Sequence, residues 1–107
     1  MRNHTEKLEE AITREAAQFF EREGNRSTLI TVTRTQLTKR GNGAILFVSV
    51  FPPEKEASAI AFIERNLGEL RTTLRKEIRS RAVPTLRVIP DHGEQTRDEI
   101  NRLLREE

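Results

Sequence analysis

Basic side chains at regular spacing are the feature of this sequence best suited to chemistry. Arg71, Arg75 and Arg79 recur every four residues, and Lys76 stands beside them. On an α-helix this spacing places side chains along one face. Guanidinium and ammonium groups arranged in this way can bind successive phosphates of a nucleic acid, with an affinity that falls as salt rises. The segment therefore predicts a helix face that binds anions.

Charge is distributed unevenly along the chain. Between Arg71 and Arg87 there are six basic residues and one acid, a local charge of +5, although the net charge of the 107 residues is only +2. Segments 3–24 and 91–107 each carry six acids and three bases. A basic segment between two acidic ones is typical of a protein with one surface that contacts an anionic partner. The alternative is a solvated helix face whose charges pair within the protein.

Aromatic residues are scarce: the chain has five Phe, no Trp and no Tyr, and no Phe lies in the basic segment. Sequence-specific binding of single strands usually depends on bases that stack on aromatic rings. We therefore expect the basic segment to contact the backbone and shape of a structured RNA.

Residues for catalysis or metal binding are few. The two histidines are His4 and His92, and the neighbouring Asp91 could tune His92 as a general base. No nucleophile or oxyanion donor is identified beside this pair, so an enzyme that uses it is the weakest hypothesis. The chain has no Cys, and Gly41-Asn42-Gly43 lacks the Lys-Ser/Thr of a phosphate-binding loop. We predict no catalytic residue, metal, cofactor or small-molecule substrate.

Two helices and a short third one are predicted from apolar spacing. The first covers residues 4–23, capped by Thr5 and stopped by Gly24. The second covers residues 54–80 and carries the basic stripe beside an apolar stripe. Gly68 lies in its middle, and because glycine disfavours helix by about 1 kcal/mol, we predict a break or bend there. Apolar residues at helical spacing near residues 100–104 predict a short C-terminal helix.

Three strands complete the pattern. Residues 28–38 are rich in β-branched side chains, and residues 44–51 are apolar on both faces, which indicates a central strand. The loop with Gly41 and Gly43 joins them as a hairpin. Residues 85–89 form a third strand.

The order helix, strand, strand, helix, strand predicts an α+β fold with a three-stranded mixed sheet and helices packed on one face. We expect one domain over residues 1–107, with its core at about 4–90 and an acidic tail at 91–107. No apolar segment approaches the roughly 20 residues of a membrane span, and residues 2–10 are mostly charged and polar, with no apolar core of a signal peptide. These features favour a cytoplasmic protein.

Three stretches of the sequence resemble one known family. They are Thr31-Val32-Thr33 followed by residues 44–50 (Ala-Ile-Leu-Phe-Val-Ser-Val), Leu67-Gly68-Glu69-Leu70-Arg71 with Leu74, and residues 83–88 (Val-Pro-Thr-Leu-Arg-Val) with Asp91 downstream. In this order and at this spacing they resemble bacterial ribosome-binding factor A, a type II KH-like domain. The resemblance covers residues 2–104. Asn66 replaces the family's usual Ala before the kink glycine, and Lys39-Arg40 replaces its Pro-Asp.

The resemblance implies a fold, a partner and a set of contact residues. The fold is α-β-β-α-β, with the second helix kinked at Asn66 and Gly68. The partners are the free 30S small subunit and its 16S rRNA during late assembly, and the implied roles are 16S 5′-end maturation and growth in the cold, performed by a monomer through binding alone. By position, the resemblance implies that Arg71, Arg75, Lys76 and Arg79 face rRNA. The local positive charge adds a second tier of expected RNA contacts, which are Lys39, Arg40, Arg81 and Arg87.

Other functions stay open at this point. One is a protein-interaction module in which the acidic terminal helices dock a protein and the basic face is solvated. Another is a KH-like domain that binds a different structured RNA.

Overall fold

The computed structural model describes residues 3–23, 27–78, 83–93 and 101–105. The elements are helix α1 (His4–Glu23), strand β1 (Leu29–Leu37), strand β2 (Gly43–Phe51), a 3-10 turn (Pro53–Lys55), helix α2 (Glu56–Glu77) and strand β3 (Thr85–Pro90). Residues 101–105 are helical, and we name them the C-terminal turn. This order confirms the predicted sequence of helices and strands.

Helix α1 has the predicted bounds but a different cap. The backbone N–H of Glu6 donates a 2.8 Å hydrogen bond to Oδ1 of Asn3, so Asn3 caps the helix. The assignment of the cap to Thr5 is wrong, because Thr5 lies inside α1. The predicted stop at Gly24 lies outside the described residues.

The sheet is mixed, as predicted. Its order is β1-β2-β3, with β1 antiparallel and β3 parallel to β2. The parallel pair requires a crossover between β2 and β3, and α2 supplies it. The central position of β2 explains why its side chains are apolar on both faces.

A β-bulge in β1 decides which face Arg34 occupies. The register shifts between Val32 and Arg34, so Thr33 is the extra residue. Val32 is buried in the main core, and without the bulge Arg34 would point the same way. Instead its guanidinium lies over the ring of Phe47, 4.2 Å from the ring centre, on the opposite face.

The main core lies between one face of the sheet and the two long helices. α1 contributes Ile12, Ala16, Phe19 and Phe20, while α2 contributes Ile63, Leu70 and Leu74. Alternate residues of β2, Ala44, Leu46 and Val48, close it from the sheet side.

The opposite face of the sheet carries a smaller apolar cluster. Ile45, Phe47 and Ile89 are buried there, and Leu103 and Leu104 of the C-terminal turn pack against them. The two long helices therefore share one face, as predicted, and the C-terminal turn covers part of the other.

Helix α2 differs from its prediction at three places. It is continuous from Glu56 to Glu77, so the predicted break at Gly68 is wrong, while a bend there stays a prediction. A Cβ added to Gly68 would meet nothing within 4 Å, so no contact forces an interruption. The helix is preceded by a 3-10 turn and ends before the predicted residue 80, because Ile78 is extended (φ −110°, ψ 120°) and packs against the main core.

Candidate nucleic-acid interface

The last turn of α2 presents two exposed basic side chains, Arg75 and Lys76. Their positions follow from the helical period, because the neighbouring Leu70 and Leu74 are fully buried and direct the opposite side of the helix into the core. Cations are also favourable at a helix C-terminus, where the carbonyl ends of the peptide dipoles gather. This pair can meet a polyanion without disturbing the fold.

Arg71, on the preceding turn of α2, has a different environment. Its side chain is half-buried, and Nη2 donates to the carbonyl oxygen of Val83 at 2.9 Å while Nε donates to that of Pro84 at 3.3 Å. The structure therefore directs this guanidinium towards the segment that enters β3. Periodicity gave no signal for this contact, because it depends on how that segment crosses α2.

The predicted stripe does not continue along the helix. α2 ends at Glu77 and Ile78 is extended, so Arg79 is not a residue of α2. Arg79 and Arg81 lie outside the described residues, and their contact with RNA stays a prediction.

The loop between β1 and β2 carries Lys39 and Arg40, and both are exposed. Buried Thr38 organises this loop: its N–H donates to the Gly43 carbonyl at 2.9 Å, and its hydroxyl accepts from the Gly43 N–H at 3.1 Å. The N–H of Thr85 also donates to the carbonyl oxygen of Asn42 at 3.0 Å. The loop is thereby attached to the start of β3.

These contacts place the hairpin loop and the end of α2 that carries Arg71 at the same end of the sheet. Residues 83–85 bond to α2 through Arg71 and to the hairpin loop through Thr85. Lys39 and Arg40 consequently lie at the same end of the sheet as the segment that Arg71 holds. Sequence spacing alone did not reveal this proximity, since Arg40 and Arg71 are 31 positions apart in the chain.

Arg87 belongs to a different surface. It is exposed, and its neighbours Leu86 and Val88 point into the main core. Because side chains alternate along a strand, Arg87 lies on the sheet face opposite α2. The structure does not bring it together with Arg75 and Lys76.

Asn66 and Gly68 lie in the middle of α2, where side chains compete for backbone acceptors. Nδ2 of Asn66 donates to the Phe62 carbonyl at 2.8 Å, and the Thr72 hydroxyl donates to the Gly68 carbonyl at 3.1 Å. Bonds of this kind, four residues back, weaken the helical ladder locally and often bend a helix. They support the expectation of a bend at this point.

Asp91 and His92 join elements of the fold. Oδ2 of Asp91 lies 3.0 Å from the Thr33 hydroxyl and Oδ1 accepts the Gly93 N–H at 3.1 Å, while Nε2 of His92 lies 2.5 Å from Oε1 of Glu56. In the described ranges, no group of three or more His, Cys, Asp or Glu residues could hold a metal ion. None of the described helices is long and apolar enough to cross a membrane.

Comparison with known families decides the relationship of this chain to other proteins. A sequence model of ribosome-binding factor A matches residues 4–104. The chain belongs to the ribosome-binding factor A family. The match covers both long helices and all three strands, so the recognition made from the three sequence stretches is confirmed.

Curated relatives agree with this assignment. Ribosome-binding factor A of Kosmotoga olearia is 35% identical over 80 residues, which are 74% of this chain and 64% of that protein. The same factor of Fervidobacterium nodosum is 33% identical over 78 residues, 72% of this chain and 62% of that protein. The matched region thus spans a little under two thirds of each relative.

Solved structures agree with the fold. Ribosome-binding factor A of Thermus thermophilus superposes with a TM-score of 0.72 at 25% identity, covering 82% of this chain and 97% of that one. A Thermotoga maritima protein described as a ribosome-binding factor A has the same fold, with a TM-score of 0.70 at 22% identity, over 82% and 88% of the two chains. The α+β fold predicted from the sequence is confirmed.

Proposed function

We propose that this chain binds the free 30S small ribosomal subunit during late assembly and contacts its 16S rRNA through the C-terminal end of α2. The observation that carries the proposal is the exposed Arg75–Lys76 pair on a member of the ribosome-binding factor A family. A homology model of Thermus thermophilus ribosome-binding factor A was fitted into the cryo-EM map of a 30S complex with that factor; it is 26% identical, with a TM-score of 0.68 over 79% of this chain and 92% of that one. That precedent supports the choice of partner.

The proposed rRNA surface has a centre and a periphery. Arg75 and Lys76 form the centre, because they are exposed on a rigid helix. Lys39 and Arg40 extend it from the hairpin loop, and Arg79 and Arg81 extend it along the chain. Arg71 acts mainly by holding the segment that enters β3, while Arg87 contacts RNA only if the RNA reaches the other sheet face.

The proposed function requires binding to the small subunit and no chemical step. Lys and Arg that neutralise phosphates release counterions, so the logarithm of the binding constant falls linearly with the logarithm of the salt concentration. Each phosphate contact contributes about 0.7–0.9 to the slope. The protein acts as a cytoplasmic monomer without a cofactor or a catalytic step.

A salt titration of 30S binding tests the proposal. We expect a steep salt dependence for the wild type and a slope smaller by about 1.4–1.8 for the Arg75→Ala/Lys76→Ala variant, which loses two contacts. A wild-type affinity that does not change with salt, or equal slopes for the two proteins, would contradict it.

Maturation of the 16S 5′ end and growth in the cold are the proposed cellular roles, and the family relationship supports them. Cells without this protein should accumulate 16S rRNA with an unprocessed 5′ end, most strongly at low temperature. Wild type should restore processing, and Arg75→Glu/Lys76→Glu should not. Normal 5′ ends in the deletion strain at all temperatures would exclude these roles.

A further inference from the structure

Strand β1 has an open edge beside a groove. In the part of the chain that the structure describes, β1 pairs with β2 alone, so its outer edge has no partner strand. Two cavities follow one another along this edge: one of about 440 Å³ beside Thr33–Thr35 and one of about 340 Å³ beside Thr28–Val32. Helix α1 forms the other wall of both, and we name this surface between α1 and the edge of β1 the groove.

The two ends of the groove differ in chemistry. Around the larger cavity the α1 wall carries three acids, Glu6, Glu9 and Glu10, and one base, Arg14, while the strand side carries a second base, Arg34. Around the smaller cavity it carries Ala17, Phe20 and one acid, Glu21, while the strand side presents Leu29, which is 64% exposed. The groove is therefore acidic at one end and partly apolar at the other.

One contact shows that a backbone N–H on this edge binds a hydrogen-bond acceptor from outside the sheet. The backbone N–H of Leu37, at the end of β1, donates to Oε2 of Glu9 at 2.9 Å. A side chain of α1 thus takes the place that the carbonyl of a neighbouring strand would fill. Unpaired strand edges are templates for an additional strand, and proteins usually cover or charge them.

We propose that this groove binds an extended, basic peptide segment of a protein partner, which adds to β1 as a fourth strand. Main-chain hydrogen bonds to β1 supply affinity, as in other cases of strand addition. Lys or Arg side chains of the segment pair with Glu6 and Glu10, and an apolar side chain contacts Ala17 and Leu29. The acidic wall repels RNA, so this surface and the end of α2 serve partners of opposite charge.

Peptide titration followed by NMR tests the proposal on the full chain. The probe is a twelve-residue peptide of alternating lysine and valine, compared with one of alternating glutamate and valine. We expect the basic peptide to bind in a salt-dependent manner, to shift the amide signals of residues 29–35 and to slow their hydrogen exchange. The acidic peptide should leave these signals unchanged.

Charge-reversal variants make the assignment specific. Glu6→Lys/Glu10→Lys should weaken binding of the basic peptide at least tenfold, whereas Glu64→Lys/Glu69→Lys, an equal charge change on exposed sites of α2, should not. Equal losses in the two variants, shifts that avoid β1, or a single-stranded RNA that binds at the same amides would overturn the proposal. Binding of the same variants to 30S subunits is measured in parallel. Failure of the peptide proposal can therefore be distinguished from failure of the proposed rRNA binding by α2.

Discussion

The Nη2 atom of Arg71 donates a 2.9 Å hydrogen bond to the carbonyl oxygen of Val83. A second bond, from Nε, reaches the Pro84 carbonyl at 3.3 Å. Both carbonyls belong to buried residues just before β3, where no neighbouring strand can pair with them until the ladder begins at Thr85. Spacing predicts that Arg71 belongs to an RNA-binding stripe. These bonds give it a structural role, because they connect α2 to the segment before β3.

Arg71→Ala should lower the free energy of unfolding by about 1–3 kcal/mol, because two backbone acceptors lose a charged donor. Arg71→Lys should recover only part of this loss, since an ammonium lacks the planar fork. Urea unfolding measures both. The control is Arg75→Ala, an exposed site that should change stability by no more than about 0.5 kcal/mol. Equal values for Arg71→Ala and Arg75→Ala would contradict a structural role for Arg71.

Gly68→Ala should stabilise the protein. Gly68 lies inside a continuous helix with open space around the position of a Cβ, and alanine favours a helix over glycine by about 1 kcal/mol. Urea unfolding should therefore show an increase of roughly that size. A loss of stability would mean that the bend expected at Asn66 and Gly68 needs the glycine.

The fold could be predicted from the sequence because the residue patterns that indicate its helices and strands are local. Apolar spacing defined α1, and the doubly apolar pattern of β2 identified a central strand. The bulge at Thr33 was invisible, since one extra residue in a strand of β-branched residues leaves no signal in the pattern. The early end of α2 was missed because Ile78 fits a helical stripe equally well and only its packing against the core shows that it is extended.

The candidate site was predicted less completely than the fold. Spacing correctly indicated that Arg75 and Lys76 share the outer side of α2, away from Leu74. It also included Arg71, whose guanidinium turns towards Val83, because hydrogen bonds to a distant backbone leave no trace in a periodic pattern. Local charge grouped Arg87 with the basic residues of α2. The alternation of side chains along β3 places it on the sheet face opposite α2.

The bond between Asp91 and Thr33 joins residues 58 positions apart, and a double-mutant cycle should reveal it. Thr33→Val and Asp91→Ala should each destabilise the protein by about 0.5–1.5 kcal/mol, because the pair is exposed and the Thr33 hydroxyl also lies 3.1 Å from the Phe47 carbonyl oxygen. The double variant should lose less than the sum, with a coupling of about 0.5–1 kcal/mol in urea unfolding. Strict additivity would show that the two side chains do not interact in solution.

The C-terminal turn should contribute to stability through Leu103 and Leu104. Replacing both with Ala removes half-buried methyl groups from the cluster of Ile45, Phe47 and Ile89, and should lower the unfolding free energy by about 1–2 kcal/mol. Asn101→Ala/Arg105→Ala changes exposed positions of the same turn and serves as the control. If the two variants unfold at the same urea concentration, the turn does not pack on the sheet.

Co-sedimentation with purified 30S subunits tests the central claim most directly. Arg75→Glu/Lys76→Glu reverses the exposed pair on α2, and Lys7→Glu/Arg22→Glu applies the same charge change to exposed sites of α1. At near-physiological salt, the wild type and the α1 variant should migrate with the subunits, and the α2 variant should remain at the top of the gradient. Equal co-migration of both variants would contradict the assignment of rRNA binding to the end of α2.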